Sequence, residues 1–192
     1  MKNPPIELLK RCRRDDRMAH FELYEWCFRD LFGISKSYFK NEDELKSVVN
    51  TAFLHVIKGL DFIIKEYASA NFYTWMKKIT IRCVIDEFRK NKRYLETIDL
   101  EEESSLLIKY DTFDDHMEIK ERVSEIQYII DSLPEMSRTV FNLYAIEGFK
   151  HHEIGEMLNI STNTSKVHLF KARQKLQTAL MNQKTPTHGH IK

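Results

Sequence analysis

The sequence predicts an all-α protein in which two small helical domains are joined by a flexible acidic linker, the second domain being a helix-turn-helix. Glycine and proline are scarce, at five and four among 192 residues. Apolar residues recur at helical spacing along nearly the whole chain, and no convincing alternation typical of β-strands is present. The charge also changes sign along the chain, which separates the two domains.

The first helical block runs from about Ile6 to Arg93. Its first apolar face is predicted from Phe21, Tyr24, Phe28, Leu31 and Phe32, and a break is predicted from Gly33 to Asn41. A second helix follows and ends near Asp61, with its apolar positions at Val48, Val49, Ala52, Phe53, Val56, Ile57 and Leu60. A third helix begins at Phe72 and becomes basic at its end, with its apolar positions at Trp75, Ile79, Cys83, Val84 and Phe88.

Charge is segregated although the formal net charge is only +1. Lys77 to Arg93 contains seven basic and two acidic residues, a net +5, whereas Glu96 to Glu121 contains ten acidic and two basic residues, a net −8. This predicts a domain at 6–94, an acidic linker at 95–115, a second domain at 116–184 and a disordered tail at 185–192. Two basic blocks separated by an acidic one are typical of two modules that face nucleic acid.

The second domain contains the residues of a helix-turn-helix. After a packing helix with Ile126, Ile129, Ile130 and Leu133, Pro134 is predicted at the first position of the next helix. Gly155 is small enough for a close approach, and Asn159 tolerates the positive φ of a turn. Ser161 or Thr162 then offers a side-chain oxygen that caps the second helix.

That second helix has one apolar and one basic face. Ser165, Leu169, Ala172 and Leu176 fall on a stripe that is predicted to face the core. Beyond Glu156 the chain has six basic residues and no acidic one. A basic helix of this kind suits the major groove of duplex DNA. The residues predicted to contact the duplex are Ser161, Asn163, Thr164, Lys166, Val167, His168, Phe170, Lys171 and Arg173. The alternative is a three-helix bundle with a solvated basic face.

Aromatic residues precede the basic helix of the first block. Aromatic rings can stack on unpaired bases while Lys and Arg hold the phosphates, so this segment suits single-stranded DNA. Asn71 to Tyr73, at the mouth of the loop, are the favoured base contacts. The alternative is that Phe72 and Trp75 are core residues, and for Trp75 that interpretation is preferred.

Other classes of function find no support in the sequence. The three cysteines, Cys12, Cys27 and Cys83, form no CxxC pair, which favours a reducing, cytoplasmic location over a disulfide framework or a zinc site. Adjacent His151 and His152 point in different directions on a helix and lack metal-binding spacing. No phosphate loop or nucleophile motif occurs, and no apolar run is long enough to insert in a membrane. We therefore expect no enzyme, metal or cofactor.

The order of these modules resembles an extracytoplasmic-function (ECF) sigma factor of bacterial RNA polymerase, from about Met18 to Leu180. The segment 72–93 is similar to the family's promoter-melting segment, with matches at Phe72, Trp75, Ile79, Asp86 and Arg89. The segment 129–161 is similar to the family's first helix-turn-helix segment, with matches at Leu133, Pro134, Arg138, Val140, Phe141, Glu147, Gly148, Glu153 and Ile154. The closing segment matches at Lys166, Leu169, Ala172, Arg173, Lys175 and Leu176.

The resemblance implies a function and partners. The first domain would bind the β′ clamp helices of core RNA polymerase and hold the −10 promoter element as an opened strand. The second would read the −35 element as duplex and dock on the β flap. An anti-sigma factor is a further partner that the family implies. The −10 contacts implied are Asn71, Phe72, Tyr73, Lys78, Arg82, Asp86 and Arg89, and the core polymerase contacts are Glu44, Ser47, Asn50 and Phe53.

Several residues depart from the family pattern. Ser47 and Asn50 stand where the clamp-binding helix usually has Asp and Gln, and Arg82 stands in place of Asn. In the helix-turn-helix, Lys150 replaces a Ser cap, Ser165 replaces a core Val, and Val167 and His168 replace Ser and Arg. The promoter sequence is therefore expected to differ from that of better-known members. The alternative functions are a conventional helix-turn-helix regulator that does not melt promoters, and a polymerase-binding protein that does not melt them.

Overall fold

The computed structural model describes residues 3–95 and 126–182, and the side chains of residues 3–90 and 126–179. Within those ranges all regular elements are helical, which confirms the all-α prediction. The chain divides into two compact units, Met1–Thr97 and Ile98–Lys192. The predicted tail, and the predicted linker apart from Leu95, lie outside the described residues, so the domain boundaries stay a prediction.

The described part of the first unit contains five helices. They are α1 (Ile6–Arg13), α2 (Arg17–Lys36), α3 (Glu42–Lys58), α4 (Leu60–Lys65) and α5 (Phe72–Leu95). Helix α3 packs against both α2 and α5, and α1 packs against α2 and α4. The core predicted for α3 is confirmed at Val48, Val49, Ala52 and Val56, and Leu60 of α4 joins it, whereas Phe53 and Ile57 are half-buried.

Helix α2 differs from the prediction at its end. It begins after Asp16, whose carboxylate accepts hydrogen bonds from the amides of Met18 and Ala19 at 2.9 and 3.1 Å. It then continues through Gly33 to Lys36, so the predicted break is found but begins at Ser37 and not at Gly33. Buried Leu31 and Ser35 lie on either side of Gly33, and this packing outweighs the roughly 1 kcal/mol that glycine costs a helix.

The buried face of α2 also differs from the prediction. Its buried residues recur every four positions, at Ala19, Leu23, Cys27, Leu31 and Ser35. Of the five residues predicted to form the apolar face, only Leu31 belongs to this stripe. Phe21 and Phe28 are 58% and 41% exposed, so the aromatic side of α2 faces outward. On α2, therefore, small and aliphatic residues form the buried stripe, and the aromatic rings are half-buried or exposed.

The described part of the second unit starts with helical residues 126–131 (α6). It continues with α7 (Glu135–Phe141), a π-helical turn (Asn142–Ile146), α8 (His151–Leu158) and α9 (Thr162–Asn182). Pro134 is the N-cap of α7 and not its first helical residue, so α7 begins one residue later than predicted. Helix α9 packs against α7 and α8, and Leu176 packs on a small core formed by Ile130, Leu133 and Ala172. Ile129 is also buried, whereas Ile126 is 36% exposed.

Candidate nucleic-acid interface

The turn between α8 and α9 has the predicted chemistry. Asn159 is the C-cap of α8 in the left-handed conformation, with φ 53° and ψ 50°. A Cβ atom on Gly155 would lie 2.8 Å from the carbonyl oxygen of Ile160, so only glycine fits there. The amide of Ile160 donates to the carbonyl of Gly155 at 3.0 Å. The close approach predicted for Gly155 is thus confirmed, and its partner is the backbone of the turn.

Ser161 caps α9. Its hydroxyl oxygen accepts a hydrogen bond from the Thr164 amide at 2.9 Å, and the two hydroxyl oxygens are 2.8 Å apart. The sequence left Ser161 and Thr162 open as caps, and the geometry selects Ser161. Helix α8 starts differently, because the Lys150 amide donates to the Glu153 carboxylate at 2.6 Å. Glu153 therefore supplies the half of a capping box that satisfies the Lys150 amide, while the Lys150 ammonium has no acceptor with which to supply the other half.

The two faces of α9 agree with the prediction. Ser165, Leu169 and Ala172 are buried. On the other side, the exposed residues are Ser161, Asn163, Lys166, Lys171 and Arg173, and the half-buried ones are Thr164, Val167 and Phe170. His168 differs from these, because it is half-buried and its Nδ1 lies 3.1 Å from the Ser137 hydroxyl of α7. It lies at the border of the exposed face and not on its centre.

An aromatic stack supports the basic end of this face. The guanidinium of Arg173 lies 5.6 Å from the centre of the Tyr144 ring, and that ring stacks on His151 at 4.5 Å. His151 Nδ1 lies 3.0 Å from the hydroxyl of buried Ser165. Burial, followed by the charges of Lys166 and Arg173, lowers the pKa of His151, which favours a neutral ring. The sequence did not predict this stack.

The loop before α5 carries the residues predicted to meet an opened strand. Asn71 is exposed, and its side-chain oxygen accepts a hydrogen bond from the Thr74 amide at 2.9 Å. Tyr73 is half-buried. Phe72 is fully buried and packs edge-on against Trp26, with ring centres 5.4 Å apart. Phe72 was therefore wrongly predicted as a DNA contact, because its ring fills the core.

Trp75 belongs to the same packing region. Its ring is half-buried and lies beside Phe72 and Phe62, with ring centres 5.5 and 6.5 Å away. A Cβ on Gly59 would come within 2.6 Å of the Trp75 ring, so the indole is fitted closely against the start of α4. These contacts agree with the interpretation of Trp75 as a packing residue. Phe62, at the rim of the group, is 56% exposed.

The remaining predicted −10 contacts lie on one face of α5. Lys78, Arg82, Asp86 and Arg89 are separated by four, four and three residues, and all are exposed. Arg89 lies 3.9 Å from Asp86. The stripe therefore carries three basic side chains and one carboxylate, next to the loop that contains Asn71.

The predicted core polymerase contacts recur every three residues on α3, so they form a row that slants around the helix. Ser47 and Asn50 are exposed, while Glu44 and Phe53 are half-buried. The outward aromatic side of α2 lies beside them. Tyr24 donates its hydroxyl to the side-chain oxygen of Asn50 at 3.5 Å and packs edge-on to Phe53 at 4.9 Å.

The sequence did not identify this aromatic surface as exposed. Phe28 extends it, with its ring centre 5.6 Å from that of Tyr24. The signal that could have found it is the four-residue repeat of Ala19, Leu23, Cys27 and Leu31, which already supplies α2 with a complete buried stripe.

The three cysteines are buried free thiols. Burial raises the pKa of Cys12 to about 11, of Cys27 to about 12 and of Cys83 to about 11. Thiols held in this protonated state are poor nucleophiles and poor metal ligands. Cys83 Sγ lies 3.4 Å from His55 Nδ1, but no group of three or more metal-ligating side chains occurs among the residues that the structure describes. None of the described helices is long and apolar enough to cross a membrane.

Comparison with known proteins finds similarity to RNA polymerase sigma factors. Residues 124–176 match the family described as Sigma-70, region 4. The chain is 29% identical over 167 residues to the ECF RNA polymerase sigma factor SigW of Bacillus subtilis (strain 168), covering 83% of each. It is 24% identical over 152 residues to the sigma factor SigV of the same organism, covering 79% of this chain and 85% of SigV.

It is also 24% identical over 174 residues to the ECF RNA polymerase sigma-E factor of Escherichia coli (strain K12), covering 87% of this chain and 89% of the relative. Among solved structures, CnrH in complex with the cytosolic domain of CnrY matches with a TM-score of 0.43 and 20% identity, covering 94% of this chain and 98% of CnrH. The three sequence relatives, all named as RNA polymerase sigma factors, confirm the resemblance to ECF sigma factors.

Proposed function

We propose that this chain, a relative of the ECF sigma factors, binds core RNA polymerase and directs it to promoters whose −35 element it reads as duplex and whose −10 element it opens. One observation carries the proposal. Each of the two units has an exposed basic helix face, and the face on α9 belongs to a helix-turn-helix within the region that matches Sigma-70, region 4.

The α9 face suits a major groove. Asn163 can donate hydrogen bonds to base edges, and Lys166, Lys171 and Arg173 can neutralise phosphates. No acidic residue occurs anywhere from Thr162 to Asn182, so no carboxylate repels the DNA backbone. Arg173 is held over the Tyr144 ring, which limits the number of conformations that it must give up on binding.

The α5 face suits a displaced strand. Lys78, Arg82 and Arg89 offer positive charge along one side of the helix, and Asn71 and Tyr73 at its start offer hydrogen-bonding groups and a ring for an unstacked base. Phe72 contributes through packing that fixes the start of the helix. An exposed carboxylate, Asp86, can accept a hydrogen bond from a base amino group.

Core polymerase is expected to dock on α3 together with the aromatic side of α2. Asn50 contacts Tyr24, whose ring packs on Phe28, so these two rings add apolar area to the exposed side of α3. Phe28 is 41% exposed, although aromatic residues of this size are usually buried. An interface built on α3 and α2 together has the aromatic anchor and polar rim that stable complexes use.

The test is transcription of total genomic DNA from the source organism by its core polymerase, with and without the purified protein, followed by mapping of RNA 5′ ends. New start sites that share a two-part upstream motif are the expected result. Binding to duplex DNA without new start sites would instead favour the conventional regulator.

Two sets of variants separate the steps. Tyr73→Ala and Arg82→Ala should reduce opening of the −10 element while leaving binding to core polymerase unchanged. Phe28→Ser should weaken binding to core polymerase while leaving duplex binding by the second unit unchanged. Lys10→Ala, an exposed position on α1 that pairs with Glu7, is the matched control. Open-complex formation that is unchanged in Tyr73→Ala and Arg82→Ala would show that the chain binds polymerase without contacting the strand there.

A further inference from the structure

A side chain near the start of the sequence joins both sides of the loop before α5. The Asn3 amide donates through Nδ2 to the carbonyl of Ala70 at 3.1 Å, and its Oδ1 accepts from the Phe72 amide at 2.9 Å. The two hydrogen bonds enclose Asn71, which lies between these residues in the sequence. One half-buried side chain thus holds the backbone on each side of a predicted base contact.

A third hydrogen bond strengthens this link. The Tyr67 hydroxyl donates to the carbonyl of buried Pro4 at 2.9 Å. The loop is also folded on itself, because the amides of Ser69 and Ala70 donate to the carbonyl of Glu66 at 3.0 and 2.7 Å. Residues 3 and 4 therefore fix a compact loop at Tyr67, Ala70 and Phe72.

Two asparagines cap the start of α5: Asn71 directly before the helix, and Asn3 near the start of the sequence. The first amides of a helix have no partner within the helix. Asn71 satisfies the Thr74 amide locally, as a helix N-cap commonly does. Asn3 satisfies the Phe72 amide from 69 residues away. The Phe72 ring is buried in the core, and the Phe72 amide is held by the Asn3 side chain. Together these two contacts fix the backbone of Phe72, and so position its neighbours Asn71 and Tyr73.

We propose that Asn3 is a positioning residue for the opened promoter strand. It sets the backbone geometry around Asn71 without touching DNA itself, so that the exposed Asn71 side chain and the Tyr73 ring are held where an unstacked base would meet them. The proposal rests on the proposed function of the α5 face. A site whose contacts are held in place loses less conformational entropy on binding than one that must order its loop.

The test compares Asn3→Ala with the wild-type chain on a promoter found by mapping start sites, and on the same promoter with its −10 element substituted. Each net hydrogen bond contributes about 1 kcal/mol, so the loss of two, about 2 kcal/mol, should reduce discrimination between the two promoters by up to about thirtyfold. Binding to core polymerase and to −35 duplex should be unchanged. Asn3→Asp retains the acceptor for the Phe72 amide and should give an intermediate loss.

Asp16→Ala is the matched control. It also removes a side chain that accepts two backbone amides, but at the start of α2. If it reduces −10 discrimination as much as Asn3→Ala at equal loss of Tm, Asn3 only stabilises the fold and the inference is wrong. Tyr67→Phe removes one hydrogen bond of the same link and should give a smaller loss in the same direction, even if Asn3→Ala does not fold.

The failure of this inference differs from the failure of the proposed function. If the wild-type chain produces no start sites with core polymerase, both are overturned. If it produces them and Asn3→Ala discriminates between −10 elements as well as wild type does, only the role of Asn3 is overturned.

Discussion

The two basic helices, α5 and α9, start in different ways. Ser161, the residue directly before α9, caps it, and the turn that leads into it is formed by neighbours in the sequence. Helix α5 starts with one local cap, Asn71, and one cap from Asn3, while the ring of its first residue, Phe72, lies in the core. The helix proposed to read duplex DNA is thus shaped by its own segment, whereas the helix proposed to hold an opened strand depends on distant contacts.

The largest expected effect is a loss of stability at the start of α5, where the core contact of Phe72 can be removed. Phe72→Ala empties a fully buried position and should destabilise the first unit by about 3–5 kcal/mol. Tyr73→Ala, at the next, half-buried position, should cost about 1 kcal/mol because less packing is lost. Denaturant unfolding of both variants measures the difference. Equal losses would show that Phe72 is not the packing residue that its burial indicates.

The second prediction concerns two glycines, one in each unit. Gly155→Ala places a Cβ against the Ile160 carbonyl and should destabilise the second unit by about 1–3 kcal/mol, with loss of −35 duplex binding. Gly33→Ala is the matched control, since nothing lies within 4 Å of its added Cβ, and it should stabilise α2 by up to about 1 kcal/mol. Thermal unfolding of each variant gives the sign. A stable Gly155→Ala variant that still binds DNA would contradict the geometry of the turn.

The third prediction tests whether two lysines of the α9 face contact DNA phosphates. If Lys166 and Lys171 each neutralise a phosphate, replacing both by Ala should reduce the slope of log K against log salt for duplex binding by about 2. Lys175→Ala is the control on the same helix, because Lys175 donates to the Ser132 carbonyl at 3.0 Å, away from that face. Titrations at several salt concentrations measure the slopes. The same slope in the double variant and in wild type would mean that another face meets the DNA.

The smallest expected effect is a pH dependence of the second unit. Burial and two nearby cations lower the pKa of His151 below its ordinary value of 6.5. The unfolded chain therefore binds a proton more readily than the folded one, so stability should fall as the pH drops below about 6.5. His151→Gln should reduce this loss, as seen by comparing Tm at pH 7 and pH 5. If the change in Tm between pH 7 and pH 5 is the same in wild type and in His151→Gln, His151 is not the source of the pH dependence.

Local sequence predicted the helix-turn-helix well. Asn159, Gly155 and Ser161 act within a few residues of their own positions, and turn and cap chemistry depends on such short distances. The buried stripe of α9 followed from helical periodicity for the same reason. Each of these positions agrees with the structure because one local rule decides it.

The contacts that the sequence did not predict all involve distant residues. In the sequence Phe72 resembles a base-stacking residue, and only the structure shows that it packs against Trp26. The aromatic side of α2 was assigned to the core because large apolar residues are usually buried there, yet the smaller stripe around Leu23 and Cys27 fills that space. Asn3 carries no local signal at all, because its two partners lie 67 and 69 residues away.

The hydrogen bond between Ser165 and His151 has a consequence for engineering new promoter specificity. Grafting a foreign recognition helix that carries valine at this position would leave His151 Nδ1 without its hydroxyl partner, next to Lys166 and Arg173. Its ring would also remain stacked under Tyr144, on which Arg173 rests. A working chimera therefore has to exchange positions 151 and 165 as a pair, which makes the transferable module of this protein larger than the proposed recognition helix.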